Sequence, residues 1–149
     1  MRVLHVIARM NVGGTATYLA NLVKGLQNLG IINLLAIGEV PPGEKEDSVV
    51  NNLPIRRIGK LSRRISISSD LHAWKETQEI ISEFKPDLIH SHTFKAGLLL
   101  RWKQSSIPKI HSFHGHHLHD PEFSKSELRI LNSVERRLAE RSDAIISIG

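Results

Sequence analysis

The sequence predicts an α/β fold in which a parallel β-sheet is covered by helices on both faces. Short apolar runs rich in β-branched residues alternate with segments whose apolar residues recur at helical spacing. Glycine, proline or polar residues separate most of these segments, as expected for turns. The most unusual polar residues directly follow apolar runs. In a parallel sheet the carboxyl ends of the strands share one edge, where ligands bind.

The first half of the chain contains one helix and three strands. The predicted elements are, in order, a strand over 2–8, a helix over 15–29, a strand over 32–38 and a short strand over 55–58. A turn at Gly13-Gly14 separates the first strand from the helix, and Gly30 ends that helix as a C-cap.

The second half continues the alternation. The predicted elements are a helix over 71–84, a strand over 87–92, a helix over 94–104, a strand over 108–113, a helix from Ser124 or Ser126 to about Arg141, and a strand over 144–149. Asp70 is the expected N-cap of the first of these helices, and Pro86 prevents its continuation. We expect Trp102 to lie on the buried side of the second helix, with Leu98 and Leu99.

Composition indicates a single globular domain. The chain has 149 residues, of which 40% are hydrophobic and 23% charged. It lacks cysteine, which excludes a disulfide framework and a thiolate metal site. No apolar run approaches the roughly 20 residues that span a bilayer, and the N-terminus lacks a signal-peptide cleavage site. We therefore expect a cytoplasmic protein.

The chain is basic, with a formal net charge of +5. Part of the excess lies in one basic stretch, whose cations are Arg56, Arg57, Lys60, Arg63 and Arg64. Such a surface attracts anions, so this stretch predicts either a solvated loop or peripheral contact with the inner face of a membrane. Nucleic acid is not an expected partner, because no aromatic residue interleaves with these charges to stack on bases.

Two motifs at predicted strand ends are candidate binding residues. Gly13 and Gly14 open a helix, where backbone amides can approach an anionic ligand, although a plain tight turn has the same pattern. The dinucleotide and P-loop motifs are absent, so neither a nicotinamide cofactor nor a P-loop nucleotide is expected.

Histidines form the other candidate set. His90 and His92 end a strand and alternation places them on the same side of the sheet, while His114 and Gly115 follow the next strand. Backbone hydrogen bonding at a strand end would also explain such histidines. Zinc needs three or four ligands, of which His92, His114 and His116 could supply three, but no HExxH motif or nearby carboxylate cluster accompanies them, so no metal site is predicted. His114, with glycine beside it, suits a hydrogen bond to a polar substrate. The roles of His116, His117 and His119 stay open.

Four stretches resemble the N-terminal domain of a family 4 glycosyltransferase, a retaining enzyme of the GT-B fold. They are RMNVGGTATYLANLVKGLQNLG, PDLIHSHTFKAGLLLR, IHSFHGHHL and VERRLAERSDAIISIG, in that order. The resemblance covers essentially the whole chain. The KAG after HSH and the FHGH loop are most similar to bacterial enzymes that build surface polysaccharide.

The resemblance implies one half of a GT-B fold, in which residues 1–149 form the N-terminal, acceptor-side Rossmann-like domain. Gly13 and Gly14 would lie near the donor diphosphate and acceptor, with His92 and Gly115 also at the substrate. His114 would be the catalytic residue that orients hydroxyls of the donor sugar. Partners would be a nucleotide-sugar donor and a glycan or lipid-linked acceptor, with no cofactor and no metal.

Two departures from the family pattern matter. Many members carry a glutamate shortly after the glycine pair, where this chain has Thr15-Ala16, so no acidic role is transferred to this loop. The resemblance also implies a C-terminal donor-binding domain that is not among these 149 residues, and we expect the 149 residues alone to be inactive because half of the donor site would be absent.

Two other functions are compatible with the sequence. One is half of a sugar-nucleotide epimerase, which requires acid and base residues, although the carboxylates lie mostly on predicted helices and loops away from the strand ends. The other is a non-enzymatic module that binds anions or lipid through the basic stretch.

Overall fold

The computed structural model describes residues 1–62, 66–114 and 124–148. Six strands form one sheet in the order β3-β2-β1-β4-β5-β6, and every neighbouring pair is parallel. The strands are β1 (Arg2–Ile7), β2 (Ile32–Ile37), β3 (Ile55–Arg57), β4 (Leu88–His92), β5 (Lys109–His114) and β6 (Ala144–Ile148). The helices are α1 (Gly14–Asn28), α2 (Ile67–Phe84), α3 (Thr93–Arg101) and α4 (Lys125–Ala139), with a 3₁₀ turn at Ser48–Asn52. The predicted α/β fold is confirmed.

Each face of the sheet has its own apolar cluster, because successive residues of a strand point to opposite faces. On the α1 face, the strand residues Ile7 and Leu35 pack with Ala16 and Leu19 of α1. On the α2/α3 face, the cluster combines alternate strand residues with the inner sides of two helices. Its buried members include Leu4, Val6, Ile89, Ala73, Ile80, Ala96 and Leu100. The predicted covering of both faces is therefore confirmed.

Two predicted helix details are wrong. Helix α2 begins at Ile67, one turn earlier than expected, and its N-cap is Ser66. Asp70 lies inside the first turn, where one carboxylate oxygen accepts a hydrogen bond from the Ser66 backbone N–H at 3.1 Å. Its other oxygen lies 2.6 Å from the Lys95 ammonium on α3. Asp70 thus joins two helices instead of capping one.

The buried side of α3 is also rotated from the prediction. Trp102 follows the helix and is 60% exposed. Helix α3 instead buries Lys95 and Arg101 together with small residues and Leu100. These cations can be buried because a neighbouring helix supplies each with a carboxylate. Periodicity favoured the large apolar residues and could not foresee those partners.

None of the helices in the described part of the chain is both long and apolar enough to cross a lipid bilayer.

Candidate functional site

The carboxyl ends of β1, β4 and β5 meet at one edge of the sheet, which we call the carboxyl rim. Strand register aligns Ile7 with His92 and His92 with Ser112. His114 ends β5 and is half-buried, and its ring lies edge-on to Tyr18 of α1 with centroids 5.0 Å apart. Tyr18 is one helical turn beyond Gly14. The structure therefore places His92 and His114 in contact, with the first turn of α1 beside them.

Gly13 has a backbone conformation that favours glycine, with φ 155° and ψ 178°. Gly14 is the first residue of α1, and within the described part of the chain no atom outside the local backbone lies within 4 Å of the position a Cβ would occupy on either glycine. The described residues therefore leave the start of the helix uncovered. This geometry permits close contact between backbone and ligand.

A segment missed by the sequence analysis lies along the glycine turn. The Val12 N–H donates to the carbonyl of Lys45 at 3.0 Å, and Asn11 forms an isolated bridge with Glu46. This brings two carboxylates close to the turn. Glu44 pairs with Arg9, and Glu46 accepts two hydrogen bonds of 2.6 Å from Arg57. These hydrogen bonds hold the pKa of Glu46 below its usual value. Both carboxylates are committed to ion pairs.

A line of imidazoles connects the rim to the interior. His5 Nδ1 lies 3.2 Å from His92 Nε2, and His92 Nδ1 lies 3.1 Å from His114 Nε2. At the inner end, His5 Nε2 lies 3.1 Å from the amide oxygen of Asn33. His90 lies beside this line, with its ring tilted against that of His92 and the centroids 4.0 Å apart, and its Nε2 contacts the Ser112 hydroxyl at 2.7 Å. The rings are thus held by side chains, not by the backbone.

Burial keeps these rings neutral at pH 7. It lowers the pKa of His5 to about 4 and that of His90 to about 3. His92 is completely buried, and its pKa lies well below the usual value for the same reason, with its neighbouring imidazoles adding to the effect. Burial also lowers the pKa of the half-buried His114. The rim therefore presents a neutral imidazole that can exchange single hydrogen bonds with a ligand.

The same rings are the candidate metal ligands of the described residues. One nitrogen from each of His5, His90 and His92 lies within 4.8 Å of the others. Three neutral imidazoles are a ligand set that zinc accepts. However, the nitrogens of His5 and His92 already engage each other and Asn33 or His114. The hydrogen-bonded arrangement accounts for these atoms without an ion.

Sequence reasoning located the rim residues but missed the residues behind them. The one available signal for His5 was its position as a polar residue within the apolar run RVLHVIA. Asn33 gave a similar signal inside the second strand. Their meeting with His92 depends on strand order, which periodicity does not specify. Gly115, His116, His117 and His119 lie outside the described residues.

Two cations of the basic stretch have acidic partners. Arg56 lies 3.1 Å from Glu83 and Arg57 lies 2.6 Å from Glu46. Lys60 has a left-handed backbone, with φ 64°. Arg63 and Arg64 lie outside the described residues. The local positive charge is therefore smaller than the sequence suggests.

Comparison with known proteins identifies the fold and the family. Sucrose-phosphate synthase from Thermosynechococcus elongatus is 16% identical with a TM-score of 0.70, over 97% of this chain and 41% of that one. MurG from Acinetobacter baumannii is 15% identical with a TM-score of 0.63, over 98% of this chain and 40% of that one.

A UDP-GlcNAc 2-epimerase from Neisseria meningitidis, bound to UDP-GlcNAc, is 19% identical with a TM-score of 0.59, over 100% of this chain and 46% of that one. The chain thus spans less than half of the length of these structures. A search of curated protein sequences found no match. The family model described as Glycosyltransferase Family 4 matches residues 12–149. The chain therefore belongs to glycosyltransferase family 4, as an N-terminal Rossmann-like domain that forms half of a GT-B fold.

Proposed function

We propose that this domain is the acceptor-side half of an enzyme that transfers a sugar from a nucleotide-sugar donor to a glycan or lipid-linked acceptor, with retention of configuration. The observation that carries the proposal is the contact of His114 with Tyr18 at the carboxyl rim, one helical turn beyond Gly14. Family membership over residues 12–149 supports the same reaction class. The rim is the place where open parallel sheets bind ligands.

Each rim residue has a role in this proposal. Gly13 and Gly14 let the donor diphosphate or the acceptor approach the open start of α1. His114 contacts a hydroxyl of the donor sugar and orients it, and His92 holds the His114 ring from behind. Gly115 would let the following backbone approach the sugar. A neutral imidazole suits this role, because sugars exchange hydrogen bonds without carrying charge.

The donor-binding half belongs to a second domain in this proposal, so the 149-residue chain alone would be inactive. That second domain would neutralise the diphosphate with backbone amides and basic side chains. The reaction would then need no metal and no cofactor. Surface polysaccharide is the product class we favour, made in the cytoplasm or at the inner face of the membrane.

The direct test joins this domain to a family donor-binding domain and measures transfer after His114→Ala. Loss of one substrate hydrogen bond should lower kcat/KM by about tenfold, and by more if the imidazole contacts the sugar mainly in the transition state. The matched control is Gly25→Ala on α1, whose added methyl group meets no atom within 4 Å. Transfer by His114→Ala within a factor of two of the control would exclude the proposed role.

Sugar-nucleotide epimerisation is the second candidate, because structures of UDP-GlcNAc 2-epimerases have the same fold. That chemistry needs free acid and base groups near the sugar. The carboxylates of Glu44 and Glu46, on the segment that lies along the glycine turn, are in ion pairs with arginines. Incubation of the two-domain protein with donor alone separates the functions, since only an epimerase makes a new sugar nucleotide without acceptor.

Membrane contact through residues 56–64 remains part of the proposal for a lipid-linked acceptor. The pairing of Arg56 and Arg57 with glutamates leaves a weak attraction for anionic lipid. Flotation with vesicles containing or lacking phosphatidylserine tests it. Binding that needs the anionic lipid and falls with salt supports electrostatic contact, and binding that ignores both contradicts it.

A further inference from the structure

Four side chains, one from each of four neighbouring strands, form a hydrogen-bonded line across the α1 face. Asn33 on β2 contacts His5 on β1, His5 contacts His92 on β4, and His92 contacts His114 on β5. The three distances are 3.1, 3.2 and 3.1 Å. We call this set the imidazole line. It begins in the interior, where Asn33 is 5% exposed, and ends at the rim.

The direction of the hydrogen bonds is fixed at the inner end. The Asn33 amide nitrogen donates to the Ile31 carbonyl at 2.9 Å, so the amide oxygen faces His5. An amide oxygen only accepts, and the hydrogen must therefore be on His5 Nε2. The opposite amide orientation would place two oxygens 2.9 Å apart.

Each ring passes this direction to the next, because a neutral imidazole has one donor and one acceptor. His5 Nδ1 must accept from His92 Nε2–H. His92 Nδ1 must then accept from His114 Nε2–H. The remaining nitrogen of His114, Nδ1, is left as an acceptor, and no described residue hydrogen-bonds to it.

We propose that Asn33, His5 and His92 are positioning residues that fix His114 in its Nε2–H tautomer, so that Nδ1 accepts a hydrogen bond from the substrate. The proposal rests on the proposed function and deepens it. The ligand group at this nitrogen must be a donor, such as a sugar hydroxyl. A sugar with a deoxy, ether or carboxylate group at that position would be disfavoured, because it offers no hydrogen there.

The line cannot act as a path for protons out of the site. Its inner end is an amide held by a carbonyl, and neither group takes up a proton near neutral pH. A protonated ring would have two donors and would interrupt the line. Fixed direction, not conduction, is therefore the property that the geometry provides.

Nitrogen-15 labelling of the histidines tests the tautomers in the 149-residue chain, without substrate. Long-range proton–nitrogen spectra distinguish a protonated from an unprotonated ring nitrogen. At neutral pH we expect His5, His92 and His114 each to be Nε2–H. In Asn33→Leu the inner acceptor is lost, and the nitrogen shifts of His92 and His114 should move toward those of a mixture of both tautomers.

The matched control is Thr77→Val on α2, which removes a buried 2.6 Å hydrogen bond to the Ala73 carbonyl on the opposite face. It should leave all three tautomers unchanged. An Nδ1–H tautomer at any of the three rings of the parent would overturn the proposal, even if Asn33→Leu fails to fold. So would spectra of Asn33→Leu that match the parent. Zinc chloride added to the parent should cause no shift, and stoichiometric binding at His5, His90 and His92 would replace the line with a metal site.

A second variant tests the same idea through transfer in the two-domain protein. His5→Gln supplies an amide donor and acceptor and preserves the direction, whereas His5→Leu supplies neither. We expect His5→Gln to retain transfer and His5→Leu to lose about tenfold in kcat/KM, which corresponds to one hydrogen bond. Equal transfer by the two variants would contradict the proposal.

The proposed role of His114 in transfer and the proposed tautomers of the imidazole line can each be wrong while the other is right. If the tautomers are as expected but His114→Ala leaves transfer intact, the proposed function falls and the imidazole line stands. If His114→Ala abolishes transfer but Asn33→Leu leaves the tautomers unchanged, the line falls and the function stands.

Discussion

Two groups of buried polar side chains, one on each face of the sheet, are stabilised in different ways. On the α2/α3 face, two buried cations have anionic partners: Lys95 pairs with Asp70, and Arg101 pairs with Glu135. On the α1 face, the buried polar groups are neutral imidazoles that hydrogen-bond to one another and to Asn33. Ion pairs join helices to helices, while the imidazole line joins strands and reaches the rim.

This difference separates the side chains that hold the helices together from the side chains that support the proposed site. A buried ion pair tolerates no change in either partner, because the remaining charge would be unpaired. It therefore fixes the packing of α3 against α2 and α4. A line of neutral rings carries no net charge into the core and leaves one nitrogen of His114 without a hydrogen bond to any described residue. In the proposed function, this nitrogen is the one that contacts an uncharged, hydroxyl-rich ligand.

The largest expected effect comes from breaking an ion pair on the α2/α3 face. Arg101→Met leaves Glu135, whose side chain is 14% exposed, without a partner. Urea denaturation should show a loss of about 3–5 kcal/mol in unfolding free energy. The control is Arg56→Met, because both members of its pair with Glu83 are more than half exposed, and it should cost less than about 1 kcal/mol. Similar losses in the two variants would show that the buried pair is not special.

Acid should destabilise the protein through the α1 face. The folded pKa of His5 is about 4, below the usual value of 6.5, so the unfolded chain binds more protons between these values. Stability is therefore complete above pH 6.5 and falls as the pH is lowered toward 4. His5 alone would contribute about 3 kcal/mol over that range.

The variant His5→Gln removes this titration while keeping a donor and an acceptor. The slope of unfolding free energy against pH, measured in urea between pH 6 and 5, should decrease by about 1.4 kcal/mol per pH unit. An unchanged slope would mean that His5 does not titrate differently in the folded and unfolded states.

A smaller effect is expected at Gly97, where α3 packs against β5. A Cβ on Gly97 would lie 2.5 Å from both Arg101 Nη2 and His111 Cε1. Gly97→Ala should cost about 1–3 kcal/mol through overpacking, in spite of the better helix propensity of alanine. Thermal and urea unfolding would measure it, and a stabilised variant would contradict the packing described here.

The smallest change in stability is expected at the glycine turn, where sugar transfer is the more informative measurement. Among residues 1–62, 66–114 and 124–148, no atom beyond the local backbone lies within 4 Å of an alanine Cβ at Gly14 or Gly25, so neither change should destabilise the fold. Gly25→Ala should add up to about 1 kcal/mol of stability through helix propensity and leave transfer unchanged. Gly14→Ala should lower transfer by the two-domain protein if a ligand contacts that backbone. Equal transfer in both variants would remove Gly14 from the site.

The sequence was sufficient to predict the order of the elements and the residues at the rim. Strand and helix periods are local properties, and the rule for parallel sheets then places Gly13, His92 and His114 at one edge. The predicted start of α2 and the predicted burial of Trp102 were wrong, because Asp70 and the cations of α3 form ion pairs with residues distant in the chain. His5 and Asn33 were missed for a similar reason, since their contacts depend on strand order and register.

The central claim is that a line of buried, neutral imidazoles supports His114 at the rim. Histidine ring titration by nitrogen-15 spectroscopy of the 149-residue chain tests it most directly. The account predicts that His5, His90 and His92 stay neutral from pH 8 to pH 5. Protonation of any one of these three rings near pH 6.5 in the folded protein would contradict it.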